Sequence, residues 1–171
     1  MVEAMPAVAT RLRVVEPGID APSTVALPAS AVRRRLGDPM RFLFVGGALP
    51  HKGLDLLIEA CEGLGPDGWE LSVRGRNAPD PALAGALRER SAGLPIRWQG
   101  GYAAGDAAAV FAAADVLVLP SRCDESWSRV VREARAAGCA VVASAAGGPA
   151  DLLEHGRDAL LVEPGSAPAL G

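Results

Sequence analysis

The sequence contains few cysteines and histidines, which limits the redox and metal chemistry it can support. Cys61, Cys123 and Cys139 form no C-x-x-C pair and leave an odd count. We interpret them as small apolar core residues in a reducing compartment rather than as disulfide partners or metal ligands. The two histidines lie far apart in the sequence, so a zinc site is not expected.

The chain also lacks an excess of basic residues and a long apolar run. Its 171 residues include 17 Lys and Arg against 20 Asp and Glu, a formal net charge of −3, so neither nucleic acid nor an anionic membrane is expected as a partner. No apolar run approaches the roughly 20 residues that cross a bilayer. We therefore expect a cytoplasmic protein with no transmembrane segment; peripheral association of the full-length protein with a membrane stays open.

Two familiar phosphate-binding motifs are absent from the stretch FLFVGGALPHKGLDLLIEA, although it joins an apolar strand to a helix through glycines and a lysine. A P-loop places glycine before the lysine and Ser or Thr after it, whereas here His51 precedes Lys52 and Gly53 follows it. The dinucleotide fingerprint G-x-G-x-x-G is excluded because Gly46 and Gly47 are adjacent. Lys52 could still offer a point charge to a phosphate, or the turn could serve packing alone.

Short apolar runs alternate with segments of helical period along most of the chain. Strands this continuous in apolar content are buried on both faces, which predicts a parallel sheet with helices on each side. The fold class predicted is therefore a Rossmann-like, doubly wound α/β domain, with ligands beyond the carboxyl ends of the strands. The predicted strands cover residues 41–47, 69–75, 96–100, 115–121, 140–144 and 159–164.

The helical segments are predicted from periodicity and from their end signals. An apolar face at positions 54, 57, 58 and 61 has helical spacing. Asp80 and Pro81 supply a cap and a first helical residue. A short alanine-rich helix is expected within 105–115, and Pro149 opens a helix that Gly156 could close. Residues 1–38 are expected to be a connection that leads into the domain formed by residues 39–171.

The turn after the fourth predicted strand brings carboxylates to the same edge of the sheet. Glu125 lies in this turn, and Ser126 or Ser128 could cap the following helix, whose first N–H groups and dipole favour a phosphate. Glu133, about two turns inside that helix, is placed at the boundary of the apolar stripe. Its carboxylate could bind a vicinal diol such as a ribose, or it could simply pair with Arg129, a contact worth about 0.3 kcal/mol.

A second Gly-Gly pair, Gly147 and Gly148, lies between the fifth predicted strand and the next helix. Its N–H groups are expected to point toward the same carboxyl edge, unless the pair forms only a tight turn.

Several sequence blocks, one of which contains this turn, together resemble the donor-binding half of the group 1 glycosyltransferases, which are retaining enzymes of the two-domain GT-B type. The blocks that carry the resemblance are VVEPGID, FVGGALPHKGLDLLIEA, FAAADVLVLPS, two glutamates separated by seven residues, and GGPADLLEHGRDALLVEPG.

The resemblance implies a role for each matching position. Lys52 would bind the donor diphosphate, and Glu125, with the backbone of Trp127 and Ser128, would address the transferred sugar and the adjacent phosphate. Glu133 would hold the ribose hydroxyls. Lys52 and Glu125 are therefore the predicted catalytic residues, although no nucleophilic role is assigned to Glu125. The other predicted substrate-binding positions are Gly46 and Gly47 in the first loop, and Gly75, Gly100 and Tyr102 near the base.

The resemblance further implies chemistry without a metal or other cofactor, and with a nucleoside diphosphate sugar as partner. Retention is explained in this family by departure of the diphosphate from the face that the acceptor attacks. An acceptor-binding domain would precede the chain, so a chain without it is expected to bind donor and transfer little.

Two of the departures from the family pattern bear on the diphosphate site. Gly47 stands where many members have an arginine, and Ser128 replaces a glycine. Arg74 and Arg76 could supply the missing charge, or could be solvated surface residues. Two alternative functions therefore stay open: a non-catalytic module with a degenerate diphosphate site, and a GT-B-type sugar-nucleotide epimerase.

Overall fold

In the computed structural model, which describes residues 37–75 and 80–171, six parallel strands form one sheet. Their order across the sheet is β3-β2-β1-β4-β5-β6, and every neighbouring pair is parallel. The predicted doubly wound α/β fold is therefore confirmed. The strands are β1 (Met40–Val45), β2 (Trp69–Arg74), β3 (Ile96–Gly100), β4 (Val116–Leu119), β5 (Ala140–Ser144) and β6 (Leu160–Val162). The predicted connection over residues 1–38 lies outside the described residues, apart from its last two positions.

Five α-helices connect the described strands, each at a place where the sequence predicts one. The helix α2 shows the predicted start: the Asp80 side chain accepts hydrogen bonds from the backbone N–H groups of Ala82 and Leu83, and Pro81 is the first helical residue. The helices are α1 (Leu54–Gly63), α2 (Pro81–Arg90), α3 (Ala107–Ala112), α4 (Arg129–Ala136) and α5 (Gly148–Leu152). None of the helices in the described ranges is long and apolar enough to cross a membrane.

Each face of the sheet has its own apolar core because successive strand residues point to opposite sides. On one face Leu43 and Leu117 pack with Phe111 of α3 and Val131 of α4. On the other face, Phe44 packs in a cluster with residues of α1 and α2. Burying each such large side chain contributes roughly 1.5–3 kcal/mol.

The strand order reverses between β1 and β4, which are hydrogen-bonded neighbours. After β1 the chain builds outward to β2 and β3, and it then returns to the centre as β4. In open α/β sheets, the loops that leave the two strands at such a reversal separate and form a crevice at their carboxyl ends. The loops containing Lys52 and Glu125 follow β1 and β4, so they meet at this crevice.

Two predictions about local structure are wrong. The last helix does not extend to Gly156, because the chain becomes extended at Leu153, whose side chain is buried, and the Glu154 N–H donates to the Asp158 carboxylate. Cys123 is exposed in the loop after β4 rather than part of the core.

The other two cysteines lie in the core as predicted. Cys61 and Cys139 are buried, one on each side of the sheet. Burial raises the pKa of each thiol to about 11, so both remain protonated at neutral pH.

Candidate functional site

The loop after β1 carries Lys52 to the end of the neighbouring strand β4. It forms a 3-10 turn over Pro50–Lys52, and Gly53 follows in the left-handed region with φ of 70°. A Cβ atom on Gly53 would lie 1.9 Å from the carbonyl oxygen of Pro120, so this position requires glycine for two reasons. The Lys-Gly pair therefore serves close packing of the two loops, and this packing positions the lysine.

Lys52 and Glu125, the two predicted catalytic residues, are in direct contact. The Lys52 Nζ donates to Glu125 Oε1 at 2.6 Å, and the Ser121 hydroxyl donates to the same oxygen at 2.7 Å. Burial pushes the pKa of the Glu125 carboxyl upward, but the hydrogen bonds from Lys52 and Ser121 outweigh it, and the net pKa is lowered. Glu125 is therefore a carboxylate at neutral pH.

Arg122, a residue that sequence reasoning did not select, fastens the Lys52 turn to the loop after β4. Its backbone N–H donates to the His51 carbonyl at 2.8 Å. Its guanidinium donates to the Pro50 carbonyl at 2.7 Å and to both carboxylate oxygens of Asp55 at 2.7 and 2.6 Å. A planar, two-pronged contact of this kind fixes orientation as well as distance. Its position directly after β4, at the predicted ligand edge, is the signal that could have identified it.

The second Gly-Gly turn holds the backbone of Glu125. The Gly148 N–H donates to the Glu125 carbonyl, and Glu125 and Gly147 form an isolated parallel bridge. A Cβ atom on Gly147 would lie 2.6 Å from that carbonyl oxygen. The Gly148 N–H therefore points toward the loop after β4 at the carboxyl edge, where the Glu125 carbonyl accepts it.

The start of α4 carries Ser128 and Glu133, and both differ in detail from expectation. Ser128 is at the N-cap position, but its hydroxyl makes no capping hydrogen bond. Because α4 begins at Arg129, Glu133 lies one turn inside the helix rather than two. Glu133 Oε1 is 3.0 Å from Arg129 Nε, which is the ion pair considered from the sequence.

Three buried polar atoms near α4 have no hydrogen-bond partner among the described residues. They are Trp127 Nε1, Ser128 Oγ and Glu133 Oε2. Buried polar groups are normally paired, so their clustering within seven residues favours a bound polar molecule at this position. The Arg132 guanidinium lies 5.0 Å from the centre of the Trp127 ring and holds the ring in place.

The loops after β1, β2 and β3 touch one another at the same edge. The Gly75 N–H donates to the Gly100 carbonyl at 3.0 Å, and a Cβ on Gly75 would lie 2.0 Å from the Gly46 carbonyl oxygen. These three glycines, all predicted to bind substrate, therefore lie together. They border a cleft of about 310 Å³ that is also lined by Ala48, Val73, Pro81, Ala84, Gly85, Arg88 and Trp98.

Tyr102 connects this part of the edge to α4. Its ring packs edge-on against Phe111, with ring centres 6.4 Å apart. Burial raises the pKa of the Tyr102 hydroxyl, and the negative charge of Glu133 adds to this, while Arg129 and Arg74 act in the opposite direction. Tyr102 is thus within electrostatic reach of Glu133. Arg74 is close enough to Tyr102 to affect its pKa, whereas Arg76 lies outside the described residues.

The comparison with known proteins gives the family. The sequence model of the family described as "Glycosyl transferases group 1" matches residues 39–171. The chain belongs to the group 1 glycosyltransferases. The family implied by the resemblance is therefore confirmed, and the structural neighbours of the chain are GT-B glycosyltransferases.

Individual relatives of this glycosyltransferase chain agree with the family assignment. It is 36% identical over 167 residues to a D-inositol 3-phosphate glycosyltransferase of Geodermatophilus obscurus, covering 90% of this chain but 37% of that protein. Among solved structures, Anabaena Alr3699/HepE in complex with UDP and glucose has a TM-score of 0.73 and 27% identity, covering 84% of this chain and 40% of that one. The chain thus spans well under half of each of these two proteins.

One further solved structure consists of a single domain. Its sequence identity to this chain is low, so the match shows a shared fold alone. The C-terminal domain of LpcC, a glycosyl transferase group 1 family protein from Francisella tularensis, has a TM-score of 0.65 and 21% identity. The match covers 90% of this chain and 84% of that domain. The architecture described above therefore has the same fold as that C-terminal domain.

Proposed function

We propose that residues 39–171 bind a nucleoside diphosphate sugar and form the donor-binding domain of a retaining glycosyltransferase. The observation that carries this proposal is the Lys52–Glu125 contact at the strand-order reversal of a group 1 glycosyltransferase sheet. The Anabaena protein in complex with UDP and glucose supports this class of ligand.

In the proposed complex, the diphosphate lies over the loop after β1. Lys52 donates to it, and the Gly46–Gly47 turn leaves space for close approach of its oxygens. The first backbone N–H groups of α4 have no partners within the helix and add a favourable dipole. Glu125, with the backbone of Trp127 and Ser128, faces the sugar and its attached phosphate.

The nucleoside occupies the side of the edge formed by α4 and the loops after β2 and β3. Glu133 accepts hydrogen bonds from the ribose hydroxyls, which supply a partner for its buried Oε2 atom. The base lies near Gly75, Gly100 and Tyr102, where three loops converge.

The proposed chemistry needs stabilisation of negative charge more than it needs a nucleophile. When the bond from the sugar to the diphosphate breaks, both electrons leave with the phosphate oxygen. In the proposed complex, Lys52 and the helix N–H groups stabilise the charge that develops on that oxygen, which lowers the barrier. Retention follows if the acceptor attacks the face from which the diphosphate departs.

The proposal includes an acceptor-binding domain as a partner, joined through residues 1–38. The chain spans 37% of the Geodermatophilus relative, which leaves room in such proteins for a second domain. The acceptor would then lie between the two domains, opposite the edge that contains Lys52.

Calorimetric titration of the chain with UDP, GDP and their sugar conjugates tests the proposal. We expect binding by at least one of these nucleotides, and we expect Lys52→Ala and Glu133→Ala each to weaken it by about tenfold to a hundredfold. This is the effect of losing one charge-assisted hydrogen bond, which is worth roughly 1.5–3 kcal/mol.

Two variants control for loss of charge elsewhere. Arg97→Ala removes an exposed cation that pairs with Glu70, and Glu154→Ala removes the carboxylate of an exposed ion pair with Arg157. Both should bind as the unchanged chain does. Nucleotide binding that is unaffected by Lys52→Ala and Glu133→Ala would indicate a non-catalytic module with a different site, and absence of binding by every nucleotide would refute the donor-site assignment.

A further inference from the structure

Glu125 is fixed both at its backbone and at its side-chain carboxylate, so its contact with Lys52 is a fixed part of the site. Its backbone carbonyl accepts the Gly148 N–H, and its Oε1 atom accepts the Ser121 hydroxyl at 2.7 Å. Ser121 itself is 2% exposed and lies directly after Pro120, which packs against Gly53. The carboxylate therefore cannot move away from Lys52 without leaving a buried hydroxyl unpaired.

The proposed function gives Lys52 a second anion to bind. A lysine ammonium has three N–H donors, so it can contact a carboxylate and a phosphate together. The two anions would then be neighbours in a partly buried site, where their repulsion is less screened than in water. The Lys52 and Glu125 side chains are 24% and 16% exposed, which places this repulsion inside the site rather than at its surface.

We propose that Glu125, positioned by Ser121, competes with the diphosphate for Lys52 and so favours release of the nucleoside diphosphate product. This inference rests on the proposed function. Ser121 is a positioning residue, because it acts through the Glu125 carboxylate. As the diphosphate leaves, the repulsion between the two anions ends and Lys52 keeps the Glu125 carboxylate as its partner, which is the arrangement seen in the structure.

If Glu125 competes with the diphosphate for Lys52, variants that weaken this competition should raise the affinity for UDP, whereas structural damage would lower it. Ser121→Ala frees the carboxylate, and Glu125→Gln removes its charge, so each should bind UDP about tenfold more tightly and release it more slowly. The expected size is that of one charge-assisted hydrogen bond exchanged between partners. If Ser121 only supported the loop, Ser121→Ala would instead weaken binding.

The experiment measures UDP affinity by calorimetry and the release rate by stopped-flow displacement, using all 171 residues of the sequence. Ser121→Thr keeps the hydroxyl and should restore the original affinity. Ser91→Ala is the matched control, since Ser91 is also buried and hydrogen-bonded, to the Arg88 carbonyl and to Trp98, away from Lys52. In a Lys52→Ala background, Ser121→Ala should have no effect, because the competition acts through Lys52.

The outcomes separate this inference from the function on which it rests. If UDP binds, and Lys52→Ala weakens it, while Ser121→Ala and Glu125→Gln bind UDP equally or less tightly, the competition is refuted and the donor site stands. If no nucleoside diphosphate binds the unchanged chain, the proposed function fails first. Tighter binding by both variants with rescue by Ser121→Thr supports the competition.

Lys52 also provides a direct reporter, because it is the single lysine of the sequence. In a protein labelled with [15N]lysine at the side chain, one ammonium resonance is expected, and it belongs to Lys52. UDP should shift this resonance at lower concentration in Glu125→Gln than in the unchanged chain. The same concentration dependence in both proteins would contradict the competition.

Discussion

Individual glycines at the carboxyl edge allow backbone segments to approach each other closely. A Cβ on Gly75 would lie 2.0 Å from the Gly46 carbonyl oxygen, and one on Gly53 would lie 1.9 Å from that of Pro120. The first contact joins the loops after β1 and β2, and the second joins the loops after β1 and β4. The position of Lys52 therefore depends on two residues that have no side chain.

Substitution of Gly75 tests this close approach of the loops after β1 and β2. Gly75→Ala should lower the free energy of unfolding by about 1–3 kcal/mol, because the new methyl group forces the two loops apart. Gly63→Ala is the control, since no atom lies within 4 Å of its added Cβ and alanine favours a helix by up to about 1 kcal/mol. Urea denaturation of both variants measures the difference. Equal stability of the two would mean that the loops do not approach as closely as described.

Side-chain partners were the least predictable features of the site. Lys52, Glu125 and Glu133 could be selected from the sequence because their blocks resemble a known family, and whether they bind substrate remains a prediction. Ser121 and Arg122 were missed, since periodicity and loop position do not show which hydroxyl or guanidinium reaches a given carboxylate. For the same reason the use of the Gly148 N–H within the protein could not be foreseen.

At the scale of secondary-structure elements, the start of α2 shows how a local sequence signal determines where a helix begins. Asp80 Oδ1 accepts two backbone N–H groups that would otherwise have no partner within the helix. This helix packs Leu87 into the core on the α1 side of the sheet and lines the cleft near Gly75. The cap therefore contributes to the order of one wall of that cleft.

Replacement of Asp80 measures this contribution. Asp80→Ala should lower the free energy of unfolding by about 1 kcal/mol, while Asp80→Asn, whose side chain caps as well, should leave it nearly unchanged. Chemical denaturation followed by circular dichroism gives both values. If Asn is as destabilising as Ala, the stabilisation comes from the charge near the helix dipole and not from the capping hydrogen bonds.

Helix ends set by tertiary contacts were not predictable. The start of α2 has a capping residue and a proline, and the prediction there is confirmed. The end of α5 has no such local signal, because the chain is redirected by burial of Leu153 and by the hydrogen bond that the Glu154 N–H donates to the Asp158 carboxylate. Gly156, which resembled a helix stop, lies instead in the turn before β6, with φ of 77°.

At the scale of the whole molecule, the alternation of apolar runs and helical segments was enough to predict the parallel sheet. It could not give the strand order, which depends on how helices pack on each face. The strand order places β1 beside β4, so the loops that carry Lys52 and Glu125 border the same crevice. The same edge carries Gly75, Gly100, Tyr102 and α4.

The central claim is that Lys52 and Glu133 bind one nucleoside diphosphate at this edge. A crystal structure of the chain soaked with UDP tests it most directly. The account predicts that the Lys52 amine lies within hydrogen-bond distance of a diphosphate oxygen, and that the Glu133 carboxylate accepts the ribose hydroxyls of the same molecule. UDP bound elsewhere, or bound at this edge without either contact, would contradict the account.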